Sequence, residues 1–178
     1  MTQIADNIAA IREKIAAAAR DFGRNPADVH LVAVSKKQPA EKIRAALDAG
    51  QRLFGENRVQ EAQTHWADLR STYPDLRLHL IGPLQTNKIR DAVALFDCME
   101  TIDREKLALK LAEEMAAQGR DLPCFIQVNT GAEPQKAGIL PDYVGDFHDY
   151  CRYECGLDIR GLRWLPPADE PPPLPFAY

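Results

Sequence analysis

Short runs of apolar residues alternate along this chain with longer stretches in which apolar residues recur every three or four positions. The short runs are rich in β-branched residues and bounded by turn signals, which is typical of strands buried on both faces of a parallel sheet. The longer stretches are typical of amphipathic helices. The pattern predicts strands at 29–35, 52–57, 77–82, 98–103, 124–129 and 158–165, and helices at 3–20, 40–49, 59–69, 86–95, 104–118 and 141–153. This rhythm indicates parallel α/β architecture with right-handed crossovers, as either a closed (β/α) barrel or an open doubly wound sheet.

The residues at the carboxyl ends of the predicted strands favour the barrel. Several of these strands end on a polar residue or a glycine, namely Lys36, Asn57, Gly82, Asp103 and Asn129. Barrels commonly collect binding groups from the ends of several successive strands. Neither a G-x-G-x-x-G motif nor a Walker A motif supports a nucleotide-binding sheet. We therefore predict an α/β fold of the (β/α) TIM-barrel type.

The length of the chain limits how much of such a barrel it can hold. A complete eight-stranded barrel takes about 250 residues, whereas this sequence has 178. We expect an incomplete barrel of about six βα units over residues 1–165, followed by a tail at 166–178 whose prolines cannot sustain a helix or a central strand. The first and last strands would then be open edges, through which the chain would associate with itself.

Composition and charge exclude several classes of partner. The formal net charge of −4 gives no electrostatic reason to expect nucleic acid or an anionic membrane surface as a partner. No apolar run approaches the roughly 20 residues that span a bilayer, and the amino terminus has no signal-peptide pattern, so we expect a cytoplasmic protein. The 4 cysteines lack zinc-ribbon spacing, and we predict no metal site.

Candidate chemistry begins at the end of the first predicted strand, where Ser35, Lys36 and Lys37 follow an apolar run. Side chains alternate along a strand, so Lys36 shares the face of Val34 and Val32 and is the better candidate for an inward-facing amine. Partial desolvation at a dry strand end would lower its pKa, and a neutral lysine amine forms Schiff bases with carbonyl compounds. The alternative is that both lysines are solvated charges that cap the strand.

Several segments of the chain together resemble one known family. They are VAVSKKQP, FGENRVQEA, HLIGPLQTNK, the METID strand and IQVN followed by KAGI, in this order and spacing. Over residues 3–170 the sequence is similar to the pyridoxal phosphate homeostasis proteins, a family with a single-domain barrel like the N-terminal domain of alanine racemase. The resemblance implies that Lys36 holds pyridoxal 5′-phosphate (PLP) in Schiff-base linkage. It also implies a role in handling and buffering the cofactor inside the cell rather than catalytic turnover, with PLP-dependent apo-enzymes as candidate recipients.

The resemblance suggests further cofactor contacts, each with a structural alternative. Asn57 would hydrogen-bond substituents of the pyridine ring, or it would cap the next helix. His79 matches an H-x-I-G pattern that implies a position beneath the cofactor, although a lone histidine in an apolar strand is more often a hydrogen-bonded core residue. Asn129 ends its strand at the same rim, where it would contact the cofactor or serve only the local structure.

Three other functions stay open from the sequence. A PLP-dependent amino-acid racemase would need a second base on the opposite face of the cofactor, which the alanine racemase pattern takes from a separate domain. A Schiff-base aldolase would need an acid or base near Lys36, and none is evident. The third is a fragment that no longer binds PLP, because the resemblance places the phosphate contacts in two further βα units that this sequence does not contain.

Overall fold

The computed structural model of the protein describes residues 3–133 and 135–164. The proline-rich tail predicted at 166–178 lies outside these residues, so the tail and the domain boundary at 165 stay predictions. The chain divides into two compact units between His79 and Leu80. No helix in the described part of the chain is long and apolar enough to cross a membrane.

In the part of the chain that the structure describes, the strands form one parallel sheet of 6 strands, and their order in the sheet follows their order in the chain. They are β1 (Ala33–Val34), β2 (Leu53–Glu56), β3 (Arg77–Leu80), β4 (Cys98–Ile102), β5 (Cys124–Val128) and β6 (Ile159–Trp164). Helices separate successive strands along the chain, so the predicted α/β class is confirmed. The sheet is not closed among the described residues, in agreement with the prediction of an incomplete barrel.

The described residues of the first unit, which ends at His79, form four α-helices: α1 (Gln3–Asp21), α2 (Ala40–Asp48), α3 (Val59–Trp66) and α4 (Leu69–Thr72). The amphipathic helix predicted at 40–49 is confirmed, because α2 buries Ile43, Ala46 and Leu47. Phe54 of β2 packs on Trp66 of α3, with ring centroids 4.7 Å apart and ring planes inclined by 51°. Both rings are buried, so this aromatic pair fixes α3 against one face of β2.

The second unit begins at Leu80 and holds three α-helices among its described residues: α5 (Ile89–Leu95), α6 (Glu105–Gln118) and α7 (Val144–Asp149). The continuous helix predicted at 141–153 is wrong in detail. A 3₁₀ turn over Pro141–Tyr143 precedes α7, and a π-helical segment over Tyr150–Glu154 follows it. Helical periodicity in a short sequence does not distinguish these tighter and wider turns from an α-helix.

β1 is much shorter than the strand predicted at 29–35, and the prediction that it is buried on both faces is wrong. Residues 29–32 lie outside the ladder, where the carbonyl of Leu31 accepts a hydrogen bond from Nε2 of the buried Gln51 at 2.8 Å. β1 stands first in the sheet order and pairs with β2. Val34 is 49% exposed. The apolar run therefore contains an edge strand. Before Ala33, the side-chain amide of Gln51 supplies a hydrogen bond to the backbone that a neighbouring strand would otherwise supply.

Candidate functional site

Lys36 follows β1 in a turn that is closed by a hydrogen bond from the backbone N–H of Gln38 to the carbonyl of Ser35, at 3.0 Å. Val34, Ser35 and Lys36 are exposed, buried and exposed in turn, which is the predicted alternation. Because the Lys36 side chain is exposed, the desolvation expected at a dry strand end is not found. Among the described residues its amine makes no hydrogen bond and no ion pair, so it is available to a ligand.

A buried carboxylate binds the side chain of Ser35, the residue before Lys36. Glu56 ends β2 and is 0% exposed, and its Oε1 atom accepts hydrogen bonds from Ser35 Oγ at 2.7 Å and from Trp66 Nε1 at 3.1 Å. The Nδ1 atom of His65 lies 3.0 Å from the same oxygen. Glu56 Oε2 is also buried and has no hydrogen-bond partner in the described part of the chain. Converging donors of this kind compensate a buried carboxylate for the water it has lost.

A second carboxylate, that of Glu61 in α3, accepts a hydrogen bond from the backbone N–H of Lys37. Glu56, Glu61 and His65 each place one potential ligand atom within 4.8 Å of the others, so a metal ion could be held there. Each of these side chains already has a protein partner, since His65 contacts Glu56 and Glu61 binds the turn. The arrangement is therefore explained as a hydrogen-bond network around the turn that carries Lys36.

Asn57 lies at the same edge of the sheet as Lys36. In the parallel register Val34 pairs with Gly55, so Lys36 and Asn57 each stand two residues beyond a paired position on neighbouring strands. The alternative role of Asn57 as a helix cap is wrong, because the cap position of α3 is held by Arg58. The Asn57 side chain makes no hydrogen bond within residues 3–133 and 135–164, which leaves its amide available to a ligand.

His79 lies in β3 and is half-buried, and it has an interaction partner of its own. Its position agrees with the prediction of a histidine inside an apolar strand, because the neighbouring Leu78 is fully buried. A position of His79 beneath a cofactor stays a prediction.

Asn129 follows β5 in the second unit, and its side chain holds the loop that comes after it. Its Nδ2 atom donates to the carbonyl of Glu133 at 2.9 Å and to that of Lys136 at 3.3 Å, while its Oδ1 atom accepts the N–H of Glu133 at 3.2 Å. At Gly138 the loop comes back against the end of β5. A Cβ added to Gly138 would lie 2.7 Å from the backbone nitrogen of Asn129. Both polar atoms of the Asn129 amide are thus engaged locally. Its predicted contact with a cofactor stays a prediction.

A polar group also connects β5 and β6 in the second unit. Arg163 donates to Oε1 of Gln127 at 2.7 Å, and its Nε lies 3.6 Å from a carboxylate oxygen of Glu100. Burial lowers the pKa of the Arg163 guanidinium from its ordinary value, and the negative charge of Glu100 opposes that shift. Arg163 of β6 therefore has partners on both β5 and β4.

The sequence interpretation missed Glu56 and Glu61 as residues of this site. Glu56 carried a readable signal: it stands two residues after Phe54 and therefore shares the strand face that packs on α3. A carboxylate buried on that face requires hydrogen-bond donors. Glu61 carried none, since its partner is a backbone N–H 24 positions away in the chain.

The chain is similar to known proteins over most of its length. The profile of the family described as "Alanine racemase, N-terminal domain" matches residues 4–175. A pyridoxal phosphate homeostasis protein of Escherichia coli (strain K12) is 46% identical over 173 residues, which cover 96% of this chain and 73% of the relative. One from Vibrio cholerae serotype O1 is 42% identical over 168 residues, which cover 93% of this chain and 71% of the relative.

Solved structures are also similar to the chain. PipY of Synechococcus elongatus PCC7942 with PLP bound has a TM-score of 0.78 at 36% identity, over 94% of this chain and 73% of that one. The alanine racemase of Bacillus anthracis has a TM-score of 0.61 at 18% identity, over 91% of this chain and 41% of that one, and shows the shared fold alone. The chain therefore belongs to the family of the alanine racemase N-terminal domain and, within it, to the pyridoxal phosphate homeostasis proteins that its motifs resemble.

Proposed function

We propose that this chain binds PLP as a Schiff base on Lys36 and serves in PLP homeostasis rather than in amino-acid turnover. One observation carries the proposal: the Lys36 amine is exposed at the end of β1, without a partner among the described residues, on a turn whose backbone is held on both sides. The names of the relatives and the PLP-bound structure of PipY support it.

The residues beside Lys36 fit such a ligand. PLP supplies an aldehyde, which condenses with a neutral lysine amine as water is released. Val34 offers exposed apolar surface on the face that Lys36 shares, and Asn57 offers an unengaged amide on the neighbouring strand. We propose Asn57 and His79 as ring contacts and Asn129 as a further contact at the rim.

The absence of catalytic turnover is part of the proposal. The relatives with 42% and 46% identity are named homeostasis proteins, whereas the alanine racemase of Bacillus anthracis shares 18% identity with the chain. Racemisation requires a base within hydrogen-bond reach of the substrate on each face of the cofactor. We expect the purified protein with PLP to racemise L-alanine or L-serine no faster than free PLP does. Clearly faster inversion, or loss of an α-deuterium, would contradict the proposal.

Borohydride trapping tests the lysine directly. The full chain is incubated with PLP, reduced, digested and mapped by mass spectrometry, and we expect the label on the peptide that contains Lys36. Lys36→Ala should abolish the label and the visible absorption of the complex. Lys37→Gln, which changes the neighbouring lysine of the same turn, is the matched control and should keep the label on Lys36. Labelling of Lys37 or Lys88 in the unmodified sequence would overturn the assignment.

We further propose that the recipients of the cofactor are the apo forms of PLP-dependent enzymes, as the term homeostasis in the names of the relatives suggests. The test mixes the PLP-loaded chain with such an apo-enzyme and follows recovery of enzyme activity. Recovery no faster than with the same concentration of free PLP would argue against direct transfer. The cytoplasmic location expected from the sequence stays a prediction.

A further inference from the structure

The turn that carries Lys36 has a backbone conformation that is unusual for its sequence. Lys37, its third residue, has a φ of 57°, while Lys36 is not among the residues with positive φ. Together with the bond that closes the turn from Gln38 to Ser35, this is the pattern of a type II turn, whose third position favours glycine. A lysine there carries a Cβ, so the conformation is strained unless contacts with its surroundings hold it.

Glu61 provides such a contact. In a type II turn the N–H of the third residue takes no part in the closing hydrogen bond and needs another acceptor. Here the acceptor is the carboxylate of Glu61, which stands in the first turn of α3. A bond from an amide to an ionised carboxylate is stronger than one between two neutral groups, so it stabilises this amide orientation selectively.

A second anchor lies on the other side of Lys36. The N–H of Ser35 donates to the carbonyl of Gly55 at 3.1 Å, and its hydroxyl donates to Glu56 at 2.7 Å. The residues before and after Lys36 are therefore both held by the segment that leads from β2 into α3. The Lys36 amine has no partner among the described residues, so the scaffold fixes the backbone and leaves the amine available to a ligand.

We propose that Glu61 is a positioning residue for Lys36: its carboxylate holds Lys37 in the left-handed conformation and thereby presents the Lys36 amine to a carbonyl ligand in a fixed direction. This inference rests on the proposed function of Lys36. Without the acceptor, the turn samples conformations in which the amine points elsewhere. The apparent affinity then falls in proportion to the fraction of molecules that still have the competent turn.

Rescue variants separate positioning from a general structural effect. Glu61→Ala removes the acceptor, and we expect the dissociation constant of PLP from the full chain to rise about tenfold. Glu61→Gln keeps an acceptor oxygen, so the rise should be less than about threefold. Adding Lys37→Gly to Glu61→Ala should bring the constant back to within about threefold of the starting value, because glycine adopts positive φ without strain. Adding Lys37→Ala should not, because alanine keeps the Cβ.

The matched charge control is Glu41→Ala, which removes an exposed carboxylate from the first turn of α2 and should leave the affinity unchanged. A second readout needs no cofactor: amide hydrogen exchange in the ligand-free protein. The Lys37 amide should exchange about tenfold faster in Glu61→Ala than in the unmodified chain, and close to the unmodified rate in Glu61→Gln.

The outcomes distinguish this inference from the proposed function. Equal affinity and equal Lys37 exchange in Glu61→Ala would overturn the positioning role, as would equal rescue by glycine and alanine at position 37. If borohydride labels a residue other than Lys36 in the unmodified chain, the proposed function fails and the positioning role fails with it. In that case the exchange measurement still shows whether Glu61 holds the turn.

Discussion

Replacement of Glu56 tests how much the buried carboxylate network contributes to stability. In Glu56→Ala, Ser35 Oγ, Trp66 Nε1 and His65 Nδ1 all lose the oxygen that they share. Their losses differ. The Trp66 side chain is 0% exposed, so its N–H stays buried without an acceptor. The Ser35 hydroxyl can turn to the carbonyl of Gly55, 3.4 Å away, and the His65 side chain is 16% exposed and can reach water.

A buried donor left without its acceptor costs about 1–3 kcal/mol. With Trp66 near the upper end of that range and the other two donors near the lower end, Glu56→Ala should lower the free energy of unfolding by about 3–5 kcal/mol. That is a large part of the total of about 5–15 kcal/mol for a typical domain. Glu56→Gln keeps an acceptor oxygen at nearly constant volume and should cost about 1–2 kcal/mol. Ser35→Ala removes one donor and should cost about 1 kcal/mol.

The assay is urea denaturation, followed in parallel by tryptophan fluorescence and by circular dichroism. Trp66 is one of the 2 tryptophans, and it reports on the first unit directly because its indole binds Glu56. The loss of unfolding free energy should be largest for Glu56→Ala, smaller for Glu56→Gln and smallest for Ser35→Ala. A loss below about 1 kcal/mol for Glu56→Ala, or a larger loss for glutamine than for alanine, would refute the reasoning about buried donors.

Three further predictions concern the second unit. Gly138→Ala should destabilise it by about 2 kcal/mol or more in urea titration, because φ is 136° and a Cβ would lie 2.7 Å from a backbone nitrogen; Gly145→Ala, where a Cβ meets nothing within 4 Å, is the control. Burial raises the pKa of the Cys98 and Cys151 thiols from 9.0 to about 12. The native state therefore keeps protons that the unfolded chain releases, and the free energy of unfolding should fall as the pH rises from about 9 toward 12; a flat profile would contradict this. Leu162 is 48% exposed on the last strand of the sheet order, so Leu162→Lys should reduce self-association measured by light scattering.

The elements whose burial follows from local pattern were predicted from the sequence. The stripe of Ile43, Ala46 and Leu47 on α2 is one example, because helical periodicity alone decides which face is apolar. β1 shows the limit of this reasoning. A run of β-branched residues indicates a buried strand, but it does not reveal whether both edges find partners, and the segment before Ala33 has a side-chain amide in place of a strand.

In the candidate site, too, local features could be predicted from the sequence and non-local contacts could not. Strand alternation and the parallel register, both of which the sequence indicates, place Lys36 on the face of Val34 and at the same edge of the sheet as Asn57. The exposure of that face was not predicted, because the sequence does not reveal that β1 stands at the edge of the sheet. The local role of Asn129 could not be chosen from the sequence, because it depends on how the chain folds back at Gly138, where strand and loop come into close contact. The hydrogen bond of Glu61 is equally non-local.

The anchors around Lys36 also determine whether the site can be moved to another protein. They come from two short segments, residues 35–38 and residues 55–66, and both lie in the first unit. Grafting the lysine onto the strand end of another (β/α) protein would transfer the amine without the carboxylates that hold its turn. A designer would have to transplant both adjoining βα segments as one module, with Glu56 and Glu61 included, to reproduce a lysine in this orientation.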